Sequence, residues 1–88
     1  MNQFQHNMRA RLAVLEPTVL EIIDESHKHS GHAGAREGGG HYVLKIVSAK
    51  FSGSNTVARH RMIYSALGEL MKRDIHALTI QARTPDEI

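Results

Sequence analysis

Seven histidines stand out in a chain of 88 residues that has no cysteine: His6, His27, His29, His32, His41, His60 and His76. Imidazole is the commonest metal ligand among side chains and exchanges its proton near physiological pH. Its nitrogen suits zinc, copper, nickel and iron. Three of the seven lie in HKHSGHAGAREGGG, residues 27–40, and His41 borders that segment. A stable site there needs a ligand from elsewhere in the chain or from a partner. Spacing alone fits equally a glycine-rich loop that tolerates polar residues. His76 opens IHALTIQA and shares parity with Leu78 and Ile80, a pattern that by itself predicts a buried histidine with a satisfied hydrogen bond. His60 lies on the apolar side of a helical pattern and reads as a packing residue. Arg59 and Arg61 flank it and are expected to point toward solvent, as surface charge or as contacts to an acidic partner.

The other routes to chemistry are closed or poorly supplied. Without cysteine there is no disulfide, no thiolate nucleophile and no self-sufficient Cys-ligated zinc or iron–sulfur site. No G-x-S-x-G elbow is present, and Gly38-Gly39-Gly40 is not followed by the Gly-Lys-Ser/Thr of a P-loop. A dinucleotide fingerprint is also missing, so catalysis is not expected. Eleven Lys and Arg against nine Asp and Glu leave a net charge of +2, and the pI near 9.3 reflects only that surplus. No stretch approaches the roughly 18 to 20 apolar residues of a membrane span. The N-terminal MNQFQHNMRARLAVLE is basic but lacks a signal-peptide core. A small cytoplasmic protein is the expectation.

The elements that would position these residues follow from periodicity. Phe4, Met8, Leu12 and Leu15 make one apolar stripe, predicting a helix over 3–15, and Pro17 marks its stop. In TVLEIIDES, Leu20 and Ile22 can face one side and Glu21 the other, as on a strand. Residues 27–40 hold five of the seven glycines and no hydrophobic period, which predicts a loop. HYVLKIVSA resumes the alternation, with Tyr42, Leu44 and Ile46 on one face and Val43, Lys45 and Val47 on the other. FSGSN is a turn, and Asn55 or Thr56 can cap the next helix. That helix, from about residue 57 to 72, buries Ile63, Leu67 and Leu70 and ends on Lys72 and Arg73, which suit its C-terminal dipole. IHALTIQA is the last strand, and residues 84–88 form a polar tail.

The order is thus α-β-β-α-β in a single domain spanning residues 1–88. The first two strands can pair antiparallel across the glycine loop. The long helix can serve as a right-handed crossover that lays the third strand parallel to the second. Both helices then cover one face of a three-stranded mixed sheet, a two-layer α+β sandwich with its other face open.

At this level of detail the chain resembles the BolA family. The resemblance is carried by ARHRMIYSALGELMKRDIHALTIQARTPDE, by VSAKFSG before it, and by LEIIDESHKH and GGGHYVLKIVSAKF upstream. It is collinear over nearly the whole chain, and the combination of DESHKH, F-x-G, RHRM-x-Y and IHAL is specific. It implies a fold like that of a class II KH domain. It also implies a non-enzymatic protein that pairs with a monothiol CGFS-type glutaredoxin and shares a [2Fe–2S] cluster with it. The glutaredoxin cysteine and a glutathione thiolate would hold one side of that cluster. Histidines of this chain would hold the other: His76 from the IHAL segment, and from the loop most closely His29, which ends DESHKH. The loop here is longer and richer in glycine than the family's, and it places His27, His32 and His41 near His29 as alternatives. Neutral imidazoles in place of thiolates reduce the negative charge around a cluster and raise its potential.

Bacterial BolA-like proteins are also described as transcriptional regulators, which makes DNA a competing partner. Gly31-His-Ala-Gly34 matches the G-x-x-G string of KH domains, but it falls between strands instead of helices. Arg59, Arg61, Lys72 and Arg73 would supply a basic face, binding with a steep dependence on salt. A third possibility is a glutaredoxin-binding module that docks without a cluster.

Overall fold

The structure, a computed structural model, describes residues 3–25, 40–73 and 75–88, excluding the side chains of Arg73 and His76. Helix α1 (Gln3–Leu12) buries Met8 and Leu12, four residues apart on one face. A 3-10 turn, Ala13–Leu15, continues it and adds Leu15 to the core. Glu16 then adopts φ 49°, with its N–H donating to the Ala13 carbonyl at 3.0 Å, and Pro17 follows. The predicted stop holds.

Strand β1 (Val19–Asp24) runs antiparallel to β2 (Gly40–Val47), in a register that pairs Val19 with Val47 and Asp24 with Tyr42. Strand β3 (Ile75–Arg83) runs parallel to β2, and the sheet order is β1-β2-β3. Alternation on β2 falls as expected: Tyr42, Leu44 and Ile46 are buried. They pack with Met8 and Leu12 of α1, with Phe51, and with Ile63 and Leu67 of helix α2 (Thr56–Leu67). Leu20, Ile22, Leu78, Ile80 and Ala82 flank that core from the neighbouring strands. On the opposite face Glu21 and Lys45, directly paired in register, form an exposed ion pair at 3.8 Å.

Two polar devices fasten the layers together. Buried Ser48, just past β2, donates its hydroxyl to the Leu15 carbonyl and accepts the Lys50 N–H at 3.1 Å. Arg9 of α1 donates to the Leu20 carbonyl on β1 at 3.2 Å. Helix α2 starts at an Asn55 cap, whose side chain accepts the Ala58 N–H at 2.9 Å.

The helix expected from 57 to 72 is divided. Gly68 adopts φ 56° and ψ −127°, its N–H returns to the Tyr64 carbonyl at 2.9 Å, and α2 ends there. A one-turn helix, α3 (Leu70–Arg73), follows. Only glycine enters that backbone region without a Cβ penalty, so a residue inside the helical period breaks it. The expected polar tail is also ordered. Pro85–Glu87 form a 3-10 turn behind a capping box between Thr84 and Glu87. Among the described residues, no helix is long and apolar enough to cross a membrane.

Candidate functional site

One end of the sheet carries His41, the start of β3 and both chain ends that border the histidine-rich segment. Beyond β1, the Glu25 N–H donates to the His41 carbonyl at 2.8 Å, so the chain entering the histidine-rich segment lies against the chain leaving it. Gly40 pairs in register with Ile75, the first residue of β3. Adjacent strands lie about 4.8 Å apart, so both ends of the segment 26–39 are anchored within two strand spacings of the start of β3. Gly40 itself is buried, and a Cβ there would collide with the Tyr42 ring. That ring in turn packs against Phe4, with centroids 5.2 Å apart. Glycine is therefore required where β2 begins beside β3.

The ladder steps from Gly40–Ile75 to His41–Ala77, leaving residue 76 as the extra residue of a β-bulge. The two-residue alternation predicted through positions 76, 78 and 80 is interrupted there: Ile75 is buried, and the next core-facing residue is Leu78. Bulges re-aim side chains and recur next to functional sites. The side chain of His76 and all of His27, His29 and His32 lie outside the described residues, whereas His41 is half-buried at the start of β2. Among the described residues, no group of three or more metal-ligating side chains is set to hold an ion alone.

The cationic candidates separate. Arg59 does not point into solvent as expected. Its guanidinium forks onto Glu87, with Nη1 and Nη2 at 2.6 and 2.9 Å from the two carboxylate oxygens. It also donates to the carbonyls of Ser54 (2.8 Å) and Ala82 (3.1 Å), and it lies over the Phe51 ring. The hydrogen bond from Arg59, aided by the Thr84 N–H, lowers the Glu87 pKa to about 2, while the Arg59 pKa is raised. A bidentate guanidinium–carboxylate pair fixes geometry as well as charge. The Thr84-x-x-Glu87 capping signature was present in the sequence and foretells the turn; its arginine partner 28 residues away is not local information. Arg61 and Lys72 are exposed, and the side chain of Arg73 is outside the described residues.

His60 is half-buried, with its ring edge-on to Tyr64 at 6.3 Å. It lines a cleft of about 240 Å³ with Thr56, Arg59 and residues 80–83, along the outer margin of β3. The sequence reading placed it in packing; it stands at a rim.

The model of the BolA-like protein family matches residues 12–87, which includes all three strands and α2. The chain belongs to the BolA family. It is 44% identical over 79 residues to SufE-like protein 1 of Arabidopsis thaliana, a match covering 84% of this chain and 21% of that protein. It is 39% identical over 75 residues to the DNA-binding transcriptional regulator BolA of Escherichia coli, covering 85% of this chain and 69% of that one. The solved BolA domain of SufE1 from Arabidopsis thaliana superposes with a TM-score of 0.86 at 39% identity, covering 100% of this chain and 99% of the other. The chain thus spans about a fifth of the plant SufE-like relative and nearly the whole of its BolA domain. With α3 included, the BolA fold here runs α-β-β-α-α-β, the order of the class II KH likeness.

Proposed function

We propose that this BolA-family chain is a non-enzymatic, cytoplasmic accessory protein that binds a monothiol CGFS-type glutaredoxin. It co-ligates a shared [2Fe–2S] cluster through His76 and one loop histidine, His29 ahead of His27, His32 or His41. Cluster trafficking or iron sensing is the process it serves. The observation that supports this most is the sheet end where residue 76 occupies a bulge beside Gly40 and His41, the return point of the histidine-rich segment. A strand position and the anchored ends of the histidine-rich segment lie side by side there, which supports a site completed by a second protein.

The donor set fits a half-site. Imidazoles are abundant and thiolates absent, so this chain must receive its sulfur ligands from glutaredoxin and glutathione. When bound, the cluster supplies transferable iron and sulfide and a one-electron couple. The chain's own contributions are to present neutral nitrogen donors and to hold β3 in register with β2. Tyr42 and Gly40 perform the second task by fixing the first residues of β2.

Co-expression with a monothiol glutaredoxin followed by visible circular dichroism tests the reading. Wild type is expected to give a mixed-cluster spectrum that His76→Ala abolishes and His29→Ala weakens or abolishes. Loss in His76→Ala alone assigns the loop ligand to His27, His32 or His41. An unaltered spectrum in His76→Ala removes His76 from the ligand set.

DNA binding is the second reading, favoured by the likeness to the Escherichia coli relative, a DNA-binding transcriptional regulator. With Arg59 held by Glu87, it rests on Arg61, Lys72 and Arg73. Fluorescence anisotropy at about 50 and about 200 mM salt would show binding that falls steeply between them. No binding at the lower concentration eliminates it.

A further inference from the structure

We infer that the outer margin of β3 is a docking groove for an extended, acidic peptide segment of a partner protein, which adds to the sheet as a fourth strand beneath α2. This site lies toward the C-terminal end of β3, about 13 Å or more from residue 76 at 3.3 Å per residue, and does not depend on the cluster reading.

The two edges of the sheet differ. β1 has six residues, carries Glu21 and Asp24, and has its Leu20 carbonyl taken by Arg9. β3 has nine residues and no carboxylate, and no other described strand pairs with its outer side. An edge strand whose only Lys, Arg, Asp or Glu is at its last residue, as Arg83 is here, offers a template for another strand. The hydrogen bonds identify which of its backbone groups are available. Ser48 N–H donates to the Arg83 carbonyl, so Ala77, Thr79, Gln81 and Arg83 turn their backbone groups toward β2. Leu78, Ile80 and Ala82 therefore turn theirs outward, and the bond from Arg59 to the Ala82 carbonyl agrees. That bond closes the ladder at its C-terminal end. Among the described residues, the N–H of Ala82 and both groups of Ile80 are left for an incoming strand.

Helix α2 makes this edge a groove. Thr56, Arg59 and His60 form its helical wall, and residues 80–83 its strand wall, around the cleft of about 240 Å³. Strand addition between an edge and a helix draws affinity from backbone bonds and selectivity from pockets for alternate side chains. The lining contains Arg59, His60 and Arg83 but no carboxylate. Arg59 is already paired with Glu87 at the rim, and exposed Arg83, whose charge also acts on Glu87, is the second cation of the lining. Carboxylates at alternate peptide positions complement that charge.

The test titrates the full chain with a fluorescein-labelled octapeptide of alternating valine and glutamate, and reads amide hydrogen exchange by NMR. Saturation is expected to slow exchange at Ile80 and Ala82, with little change at Thr79 and Gln81, whose amides already face β2. Arg83→Glu, a change at an exposed side chain, is expected to weaken binding at least about tenfold. A backbone N-methylated version of the same peptide is expected not to bind. Equal binding of the N-methylated peptide, or no binding up to about 1 mM, overturns the proposal. Protection at Ile80 and Ala82 that grows with protein concentration in the absence of peptide also overturns it, by assigning the edge to a second copy of this chain.

Discussion

At the scale of single residues, side chains that the sequence marks as chemical divide into those presented outward and those held by the fold. Arg59 is the clearest case. Its place beside His60 and Arg61 suggested a solvent-facing cation, but the chain closes on it through Glu87, Ser54 and Ala82. Since the Glu87 carboxyl falls from its ordinary 4.5 to about 2 on folding, its ionised form favours the folded state. This contribution is complete above about pH 4.5 and is lost as pH falls toward 2. Glu87→Gln is therefore expected to lower the urea midpoint at neutral pH, and the gap to wild type should close as the acid limb is descended. A constant gap from pH 7 to pH 3 would contradict the pairing. Ser48 acts in the same structural way. Ser48→Ala leaves the Leu15 carbonyl without its buried donor and is expected to cost about 1–3 kcal/mol in chemical denaturation.

At the scale of elements, what could be read from the sequence was what local pattern determines. Tyr42, Leu44 and Ile46 alternate with the half-buried Val43 and Lys45, so β2 and its buried face followed from period two, although Val47 is buried as well. Pro17 ended the first helix, and Asn55 capped the second, as expected. Two features escaped because their causes lie outside the pattern. Gly68 sits within a helical period, and its positive φ becomes necessary only because the chain must turn between α2 and α3. The bulge at residue 76 arises from pairing with Gly40 and His41, some 35 residues away, and no parity count within IHALTIQA reveals it. Gly68→Ala is expected to destabilise by about 1–3 kcal/mol, read from the same urea curves. A Cβ there would also stand 3.0 Å from the Arg11 guanidinium. Asn55→Ala is expected to cost about 1 kcal/mol.

At the scale of the whole molecule, the BolA fold uses one face of its sheet for the core. Helices α1 and α2 cover Tyr42, Leu44 and Ile46, while the sheet end carrying Gly40, His41 and the start of β3 is where the histidine-rich segment is anchored. The histidine pattern in the sequence named the candidates; the register of two strands adds only that residue 76 lies beside Gly40 and His41. Gly40→Ala tests that junction. Its Cβ meets the Tyr42 ring, so mixed-cluster formation with glutaredoxin should fall even though no histidine has changed. Visible circular dichroism indistinguishable from wild type would show that the start of β2 is not needed to place the donors.

The central claim is that nitrogen from this chain binds iron when glutaredoxin docks. Labelling only this chain with ¹⁵N-histidine, mixing it with unlabelled glutaredoxin and glutathione, and recording pulsed EPR of the reduced cluster tests it most directly. The account predicts ¹⁵N couplings from two imidazoles in the wild-type complex and no mixed cluster with His76→Ala. A mixed complex whose reduced cluster shows no ¹⁵N coupling would contradict it.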